Sequence, residues 1–174
     1  MTLKPLLNAG LFQLGWFACA FSPQYLALLA VPLLVAVIHV LWLGRGELKV
    51  LVVVTLLGTL IDSALMHAGL FQFTEPRLLI PLWLVLMWTL LATTLRHCLA
   101  WTARPWWLAS LLGAVAAPLS YYAGARLAGV GLPYGLWPSL LVLAAIWALV
   151  FPLLHYLAQR LQPVELQPSG GRSL

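Results

Sequence analysis

Long apolar stretches alternate with short polar or proline-containing breaks along the chain, and this pattern predicts membrane-spanning helices. A helix needs about 20 mainly apolar residues to cross roughly 30 Å of hydrocarbon. Six stretches are long enough, and proline, glycine and charged residues separate the first four of them. The predicted spans are residues 5–21, 23–43, 48–70, 78–97, 106–125 and 136–158. The predicted fold class is therefore an all-α polytopic membrane protein, a six-transmembrane-helix bundle.

Composition supports the same fold class. Of the 174 residues 63% are hydrophobic and only 7% are charged, whereas charged residues make up about a quarter of an average soluble domain. Such a chain cannot cover a water-exposed globule with charge, which excludes an ordinary soluble enzyme and a nucleic-acid-binding module. The apolar runs are continuous rather than alternating, which excludes a β-barrel. Two cysteines, Cys19 and Cys98, are too few for a disulfide framework or a zinc cage.

The positions of the nine lysines and arginines predict the orientation, because cytoplasmic loops are enriched in these residues. Six spans place both termini and two loops on one side, with Arg77 and Arg126 on the other. The first side holds the remaining seven: Lys4, Arg45, Lys49, Arg96, Arg104, Arg160 and Arg172. We therefore expect both termini in the cytoplasm. Residues 1–161 form a single transmembrane helical domain, and 162–174, rich in proline, serine and glycine, are expected to be a disordered cytoplasmic tail.

An ionisable side chain in the third span is the most informative residue of the sequence. Asp62 lies about 21 Å along that helix at 1.5 Å per residue, within the hydrocarbon. An ionisable side chain costs free energy there, and those that occur usually have a function. Asp62 and four other residues, spaced three or four positions apart, form one polar stripe along the helix. This stripe must face protein or water. Either Asp62 bonds a neighbouring helix in a structural role, or it serves a functional site. The stripe comprises Thr55, Thr59, Asp62, Ser63 and Met66.

The fifth span supplies the expected partners of Asp62. Running outward from Trp106, it brings Ser120, Tyr121 and Tyr122 to the same half of the bilayer. Arg126 either pairs with Asp62 or ends the helix at the interface with its charge in water. Gly113, Ala117, Tyr121 and Gly124 share one face, so a neighbouring helix can approach closely there.

The sequence predicts no metal site and no cofactor. His67 lies five residues after Asp62, about 140° around the helix, so the two do not share a face. The other three histidines lie near the cytoplasmic ends of different spans and are interpreted as scattered. Arg96, Arg160 and these histidines either mark the water interface or bind a phosphate headgroup or cofactor. No hydrolase, metalloprotease, phosphate-loop or dinucleotide motif is present.

Several short motifs occur at the polar positions: Asn8 with Gln13, Gly15 and Trp16; Asp62-Ser63; Pro81-Leu82-Trp83; Thr93-Thr94-Leu95 with His97; and Pro118-Leu119-Ser120-Tyr121 with Gly124. Together they resemble a family of bacterial inner-membrane proteins, the domain of unknown function twenty-eight seventy-eight. The resemblance extends from about residue 7 to about 161 and implies a compact helical bundle in the bacterial inner membrane, without an activity. It adds weight to Asp62, Trp83, Thr94, Ser120 and Tyr121.

The leading functional hypothesis is a pocket open to the outer leaflet that binds or moves a lipid or small amphipathic molecule. Polar groups within an apolar wall suit such a ligand. The predicted ligand-binding residues are Asp62, Trp83, Ser120, Tyr121 and Arg126.

Two alternatives stay open, so the sequence does not decide whether the protein is an enzyme. One is a membrane-embedded lipid-modifying enzyme that uses Asp62 with Tyr121 or His67 as acid or base. The other is a non-catalytic subunit whose small-residue faces, such as the one at Gly113, dock other helices. The expected partners are the lipid bilayer and either a second copy or another membrane protein, with no nucleic acid.

Overall fold

The computed structural model describes residues 3–161, and within them the chain is an all-α bundle of six helices. The predicted tail, 162–174, lies outside the described residues. A short 3-10 turn, Leu26–Leu29, leads directly into the second helix. The helices are α1 (Leu3–Phe21), α2 (Ala30–Leu43), α3 (Gly46–His67), α4 (Leu82–Thr94), α5 (Trp106–Ala128) and α6 (Leu136–Arg160).

Four helical segments are long and apolar enough to cross a membrane. They are Leu26–Leu43, Gly46–His67, Trp106–Ala128 and Leu136–Arg160. The fourth helix is shorter than the predicted span 78–97, because the chain reaches Pro81 in an extended conformation and leaves the helix after Thr94. Its 13 residues extend about 20 Å.

The helix α4 occupies the centre of one half of the bundle. It packs against α1, α2 and α3, and its buried residues lie on every side of the helix. A helix that is apolar all round is expected in such a position, since every face needs an apolar neighbour. Leu90, which is completely buried, packs toward α1 near Gly15.

The other half of the bundle is the pair α5 and α6. Gly113 lets these two helices approach closely, since a Cβ at that position would collide with the backbone carbonyl of Trp147 and the Cβ of Phe151. The small-residue face predicted on α5 therefore has a neighbour within the same chain. Pro118 lies inside α5 without ending it.

Two loops meet at one end of the bundle. The backbone N–H of Gln72 donates to the carbonyl of Gly131 at 2.9 Å, and the N–H of Gly131 donates to the carbonyl of Gln72 at 2.8 Å. The hydroxyl of Tyr134 also donates to the carbonyl of Ala68 at 2.6 Å. The α3–α4 and α5–α6 connections therefore lie on one side, as the alternating topology requires.

The opposite end collects the start of α1 and the α2–α3 and α4–α5 connections. The side-chain amide of Asn8 donates to the carbonyl of Thr93 at 3.1 Å, and its oxygen accepts from the N–H of Cys98 at 3.2 Å. The guanidinium of Arg96 donates to the carbonyl of Ala158 at 2.8 Å. These bonds tie α1, the end of α4 and the end of α6 together.

Candidate functional site

The carboxylate of Asp62 is completely buried and links three helices. Its Oδ2 accepts a hydrogen bond of 2.7 Å from the indole N–H of Trp88 on α4, and its Oδ1 accepts one of 2.7 Å from the hydroxyl of Tyr121 on α5. The stripe predicted on α3 thus faces protein at this position. Of the partners expected on α5, Tyr121 contacts the carboxylate.

Neighbouring residues of the stripe also bond to α4 or to the segment before it. The hydroxyls of Thr55 and Thr89 lie 3.0 Å apart, and Ser63 accepts a hydrogen bond of 3.2 Å from the backbone N–H of Ile80. Thr59 instead donates back to the carbonyl of Thr55. The α3–α4 interface is therefore polar along more than one turn.

Trp88 is the partner of Asp62 that sequence reasoning missed. Gly58 was a usable signal, because a glycine one turn before Asp62 on the same face of α3 leaves room for a large side chain from another helix. The ring of Trp88 occupies the space that a Cβ at Gly58 would need. A buried indole also requires an acceptor, and Asp62 is the only acidic residue within the predicted spans away from a helix end. Trp88 stacks on Trp147 of α6 with the ring centroids 5.0 Å apart.

An apolar cavity of about 660 Å³ lies among α1, α4, α5 and α6. Trp88, Tyr121, Trp147 and Phe151 contribute aromatic rings to its wall. One end reaches Thr102 in the α4–α5 connection, and the other reaches the two loops that pair at Gln72 and Gly131. The side chains at that second end are Phe71, Phe73 and Val130.

The mouth of the cavity lies between α1 and α5. Lining residues that are also exposed occur on both helices, with Gln13 and Phe17 on α1 and Ala116, Ser120 and Ala123 on α5. Trp101, in the α4–α5 connection, is a further exposed lining residue at one end of the cavity. An opening between two helices of a membrane bundle leads sideways into the lipid rather than into water.

One hydrogen bond crosses this mouth. The indole N–H of Trp16 donates to the hydroxyl of Ser120 at 3.0 Å, and both residues line the cavity. Trp16 also lies beside Gly124, one turn further along α5. This hydrogen bond holds α1 to α5 at the mouth of the cavity.

Three of the five predicted site residues line the cavity: Trp83, Ser120 and Tyr121. Trp83 packs edge-on against Phe73, with the ring centroids 6.3 Å apart. Asp62 does not line the cavity. It lies behind Trp88 and Tyr121, which line the cavity and donate hydrogen bonds to its carboxylate.

Arg126 is exposed in the last turn of α5 and is also absent from the cavity lining. Within residues 3–161 it makes no ion pair with Asp62. Of the two sequence interpretations, the structure matches the one in which Arg126 ends the helix with its charge outside the bundle.

Trp147 presents a polar atom without a protein partner. Its Nε1 is buried, and within the described part of the chain no acceptor bonds to it. The ring of Trp147 lines the cavity, but its buried Nε1 does not reach the cavity surface, so this N–H is not a ligand-binding group of the wall.

The prediction that the histidines are scattered is wrong for two of them. His39 on α2 and His97 after α4 have ring centroids 5.0 Å apart, and both approach Glu47 in the first turn of α3. The Nε2 atoms lie 3.2 Å and 3.5 Å from Oε2 of Glu47, respectively. Their sequence separation hid this, since only the packing of α2 against α4 brings the rings together.

The two remaining histidines do stand apart from this cluster. The Nε2 of His67 lies 2.9 Å from the carbonyl oxygen of Leu78, and the Nε2 of His155 lies 2.8 Å from the hydroxyl of Thr102. Neither ring reaches Asp62. Groups able to hold a metal ion are therefore confined, among the described residues, to His39, Glu47 and His97.

A family model described as a protein of unknown function (DUF2878) matches residues 5–153. The chain belongs to this family. The match confirms the resemblance inferred from the sequence motifs and covers most of the chain. No curated protein and no solved structure gave a match.

The region shared with the DUF2878 family contains both sites described above. Every residue that lines the cavity lies between Phe12 and Phe151, and Glu47 and its two histidines also fall within the matched residues. The family is described as one of unknown function, so membership assigns no activity to this DUF2878 protein.

Proposed function

We propose that this integral membrane protein binds a lipid or small amphipathic molecule in the cavity among α1, α4, α5 and α6. The observation that carries the proposal is the opening between α1 and α5, which connects a large aromatic cavity with the surroundings of the bundle. An amphipathic molecule dissolved in the bilayer would enter sideways without crossing water.

The size and lining of the cavity favour a ligand with an apolar body. Its volume of about 660 Å³ lies within the range of about 300–1,000 Å³ typical of small-molecule sites. Such sites are mainly apolar and aromatic, with a few polar groups that fix the ligand's orientation. Trp83, Trp88 and Phe151 supply aromatic surface of this kind.

The polar atoms along the cavity indicate where the head of such a ligand would bind. Gln13 and Ser120 lie at the mouth. An ester, amide or hydroxyl group in the head of the ligand would bond to the side chain of Gln13 there, while the apolar body enters the cavity. Asp62 contributes indirectly, by holding Trp88 and Tyr121 in the wall.

We also propose that the membrane is the bacterial inner membrane, with both termini in the cytoplasm. Of the eight lysines and arginines within residues 3–161, only Arg77 and Arg126 belong to the end of the bundle where Gln72 pairs with Gly131. Cytoplasmic loops carry the excess of these residues, so the opposite end would face the cytoplasm.

Ligand binding is preferred over the two alternatives on geometric grounds. An acid–base role would need Asp62 within reach of a substrate, but both its oxygens are bonded to Trp88 and Tyr121 and it does not line the cavity. A docking role for the α5 face at Gly113 would need that face exposed, and α6 covers it.

Photo-crosslinking tests the proposal. The purified protein would be reconstituted in vesicles of phosphatidylethanolamine and phosphatidylglycerol that contain a phospholipid with a diazirine on one acyl chain. We expect crosslinks concentrated on cavity residues such as Phe12, Met87 and Leu112. Crosslinks confined to exposed outer residues such as Leu141 and Leu149, with none in the cavity, would overturn it.

A further inference from the structure

A second cluster of polar side chains lies at the start of α3, about four helical turns before Asp62. Three segments contribute to it: His39 from α2, Glu47 from α3, and His97 from the turns after α4. Their ligand atoms all lie within 4.8 Å of one another. We propose that these three side chains bind a divalent transition-metal ion such as Zn²⁺.

The distances within the cluster fit a metal centre. A tetrahedral ion with ligands at about 2.0–2.1 Å separates any two of them by about 3.3 Å. The Nε2 atoms of His39 and His97 lie 3.2 Å and 3.5 Å from the same oxygen, Oε2 of Glu47. Small side-chain adjustments are therefore enough to place one ion between the three atoms.

The orientation of the rings supports a shared ligand rather than a simple hydrogen-bonded network. The planes of His39 and His97 are inclined at 81°, so the imidazoles approach from different directions. His39 is within hydrogen-bond distance of Glu47, but the Nε2 of His97 is buried and has no hydrogen-bond partner in residues 3–161. A metal ion would supply that nitrogen with a partner.

Arg96 holds the carboxylate in the required position. Its Nη1 donates to Oε1 of Glu47 at 3.2 Å, while its Nε–H is anchored on the carbonyl of Ala158. The other oxygen, Oε2, is thereby turned toward the two imidazoles. Groups that orient a ligand in this way are a regular part of metal sites, although the positive charge of Arg96 reduces the affinity for any cation.

The donor set selects the kind of ion. Two imidazole nitrogens and one carboxylate oxygen suit Zn²⁺ and other borderline ions, whereas Mg²⁺ and Ca²⁺ prefer oxygen ligands. The side chain of His97 is 24% exposed although its Nε2 is buried, so rotation of this ring would open a route for an ion to the three ligand atoms. A bound ion would join α2, α3 and the end of α4 at one end of the bundle.

Isothermal titration calorimetry of the full chain, purified without a histidine tag and stripped with chelator, tests the site directly. We expect one Zn²⁺ per chain and no binding of Mg²⁺. His39→Ala and His97→Ala should each weaken Zn²⁺ binding by more than about tenfold. Removal of a group that only orients a metal ligand already lowers the affinity by at least about tenfold, and these two residues are the ligands themselves. The matched control, His67→Ala, should bind like the wild type. No Zn²⁺ binding by the wild type, or equal affinity in all four proteins, would overturn the proposal.

X-ray absorption at the zinc edge keeps the proposal testable if the alanine variants fail to fold. The wild-type spectrum should show two imidazole nitrogens with oxygen completing the shell. A shell containing sulfur, or one of oxygen alone, would place the ion elsewhere and contradict the assignment.

Discussion

The hydroxyl of Tyr121 donates a hydrogen bond of 2.7 Å to the carboxylate of Asp62, joining α5 to α3 inside the bundle. The same carboxylate accepts from Trp88, and Tyr121 stacks on Phe71 with the ring centroids 5.5 Å apart. One buried acidic group therefore fixes two aromatic walls of the cavity.

Asp62→Asn should destabilise the fold. Asparagine replaces Oδ1, which accepts from Tyr121 at 2.7 Å, with an N–H₂ donor, so Tyr121 keeps only the longer contact of 3.0 Å with the oxygen that also accepts from Trp88. Losing the short hydrogen bond to a charged group costs about 1–3 kcal/mol, which thermal unfolding in detergent should report as a lower midpoint. Glu75→Gln is the control, because the Glu75 side chain is 80% exposed. Equal midpoints for both variants would contradict the structural role of Asp62.

Gly58→Ala should displace Trp88 from Asp62. The ring of Trp88 fills the space of the added methyl group, and overpacking of this kind typically costs about 1–3 kcal/mol. Gly10→Ala is the matched change, since nothing lies within 4 Å of its Cβ position, and alanine there should raise helix stability by up to about 1 kcal/mol. The two variants should shift the unfolding midpoint in opposite directions; a shift of the same sign would argue against the contact.

Trp16→Phe should loosen the mouth of the cavity. The variant keeps an aromatic ring but loses the hydrogen bond to Ser120, which is worth about 0.5–1.5 kcal/mol. We expect a fluorescent phospholipid analogue to dissociate faster from this variant than from the wild type in stopped-flow measurements. Trp106→Phe serves as the control, because Trp106 is exposed at the start of α5 and does not line the cavity. This variant should not change the dissociation rate of the lipid analogue.

Arg96→Gln should be far more damaging than Arg77→Gln. Arg96 pairs with Glu47 inside the bundle, with 9% and 11% of the side chains exposed, and removing one partner of a buried pair costs about 3–5 kcal/mol. The pair of Arg77 with Glu75 is largely exposed and contributes at most about 1 kcal/mol. Chemical unfolding of both variants measures the difference. Comparable losses would show that the Glu47 cluster is not a buried network.

The number of helices and most of their ends could be predicted from the sequence, because the apolar runs are long and proline and glycine separate them. The predicted start of α4 was less accurate, since residues 78–81 are apolar but not helical. Leu78 and Leu79 are exposed, whereas Ile80 is buried and donates its N–H to Ser63 of α3, and hydropathy alone cannot distinguish such a segment from a helix.

The candidate site was predictable only in part. Burial of Asp62 and its contact with α5 followed from the cost of a charge in lipid, and Tyr121 lay at the right depth. The choice between Ser120 and Tyr121 as its partner depends on helix rotation, which the sequence does not determine. Likewise, His39 and His97 meet because α2 packs beside α4, and no sequence spacing encodes that contact.

Native mass spectrometry of the protein released from phosphatidylethanolamine-containing nanodiscs tests the central claim most directly. Ala116→Trp places a large ring at the cavity mouth, whereas Ala145→Trp adds the same ring on the exposed face of α6, away from the cavity. We predict that the wild type and Ala145→Trp each retain one lipid as collisional activation rises, and that Ala116→Trp loses it early. Equal lipid retention by all three proteins would contradict a lipid-binding cavity.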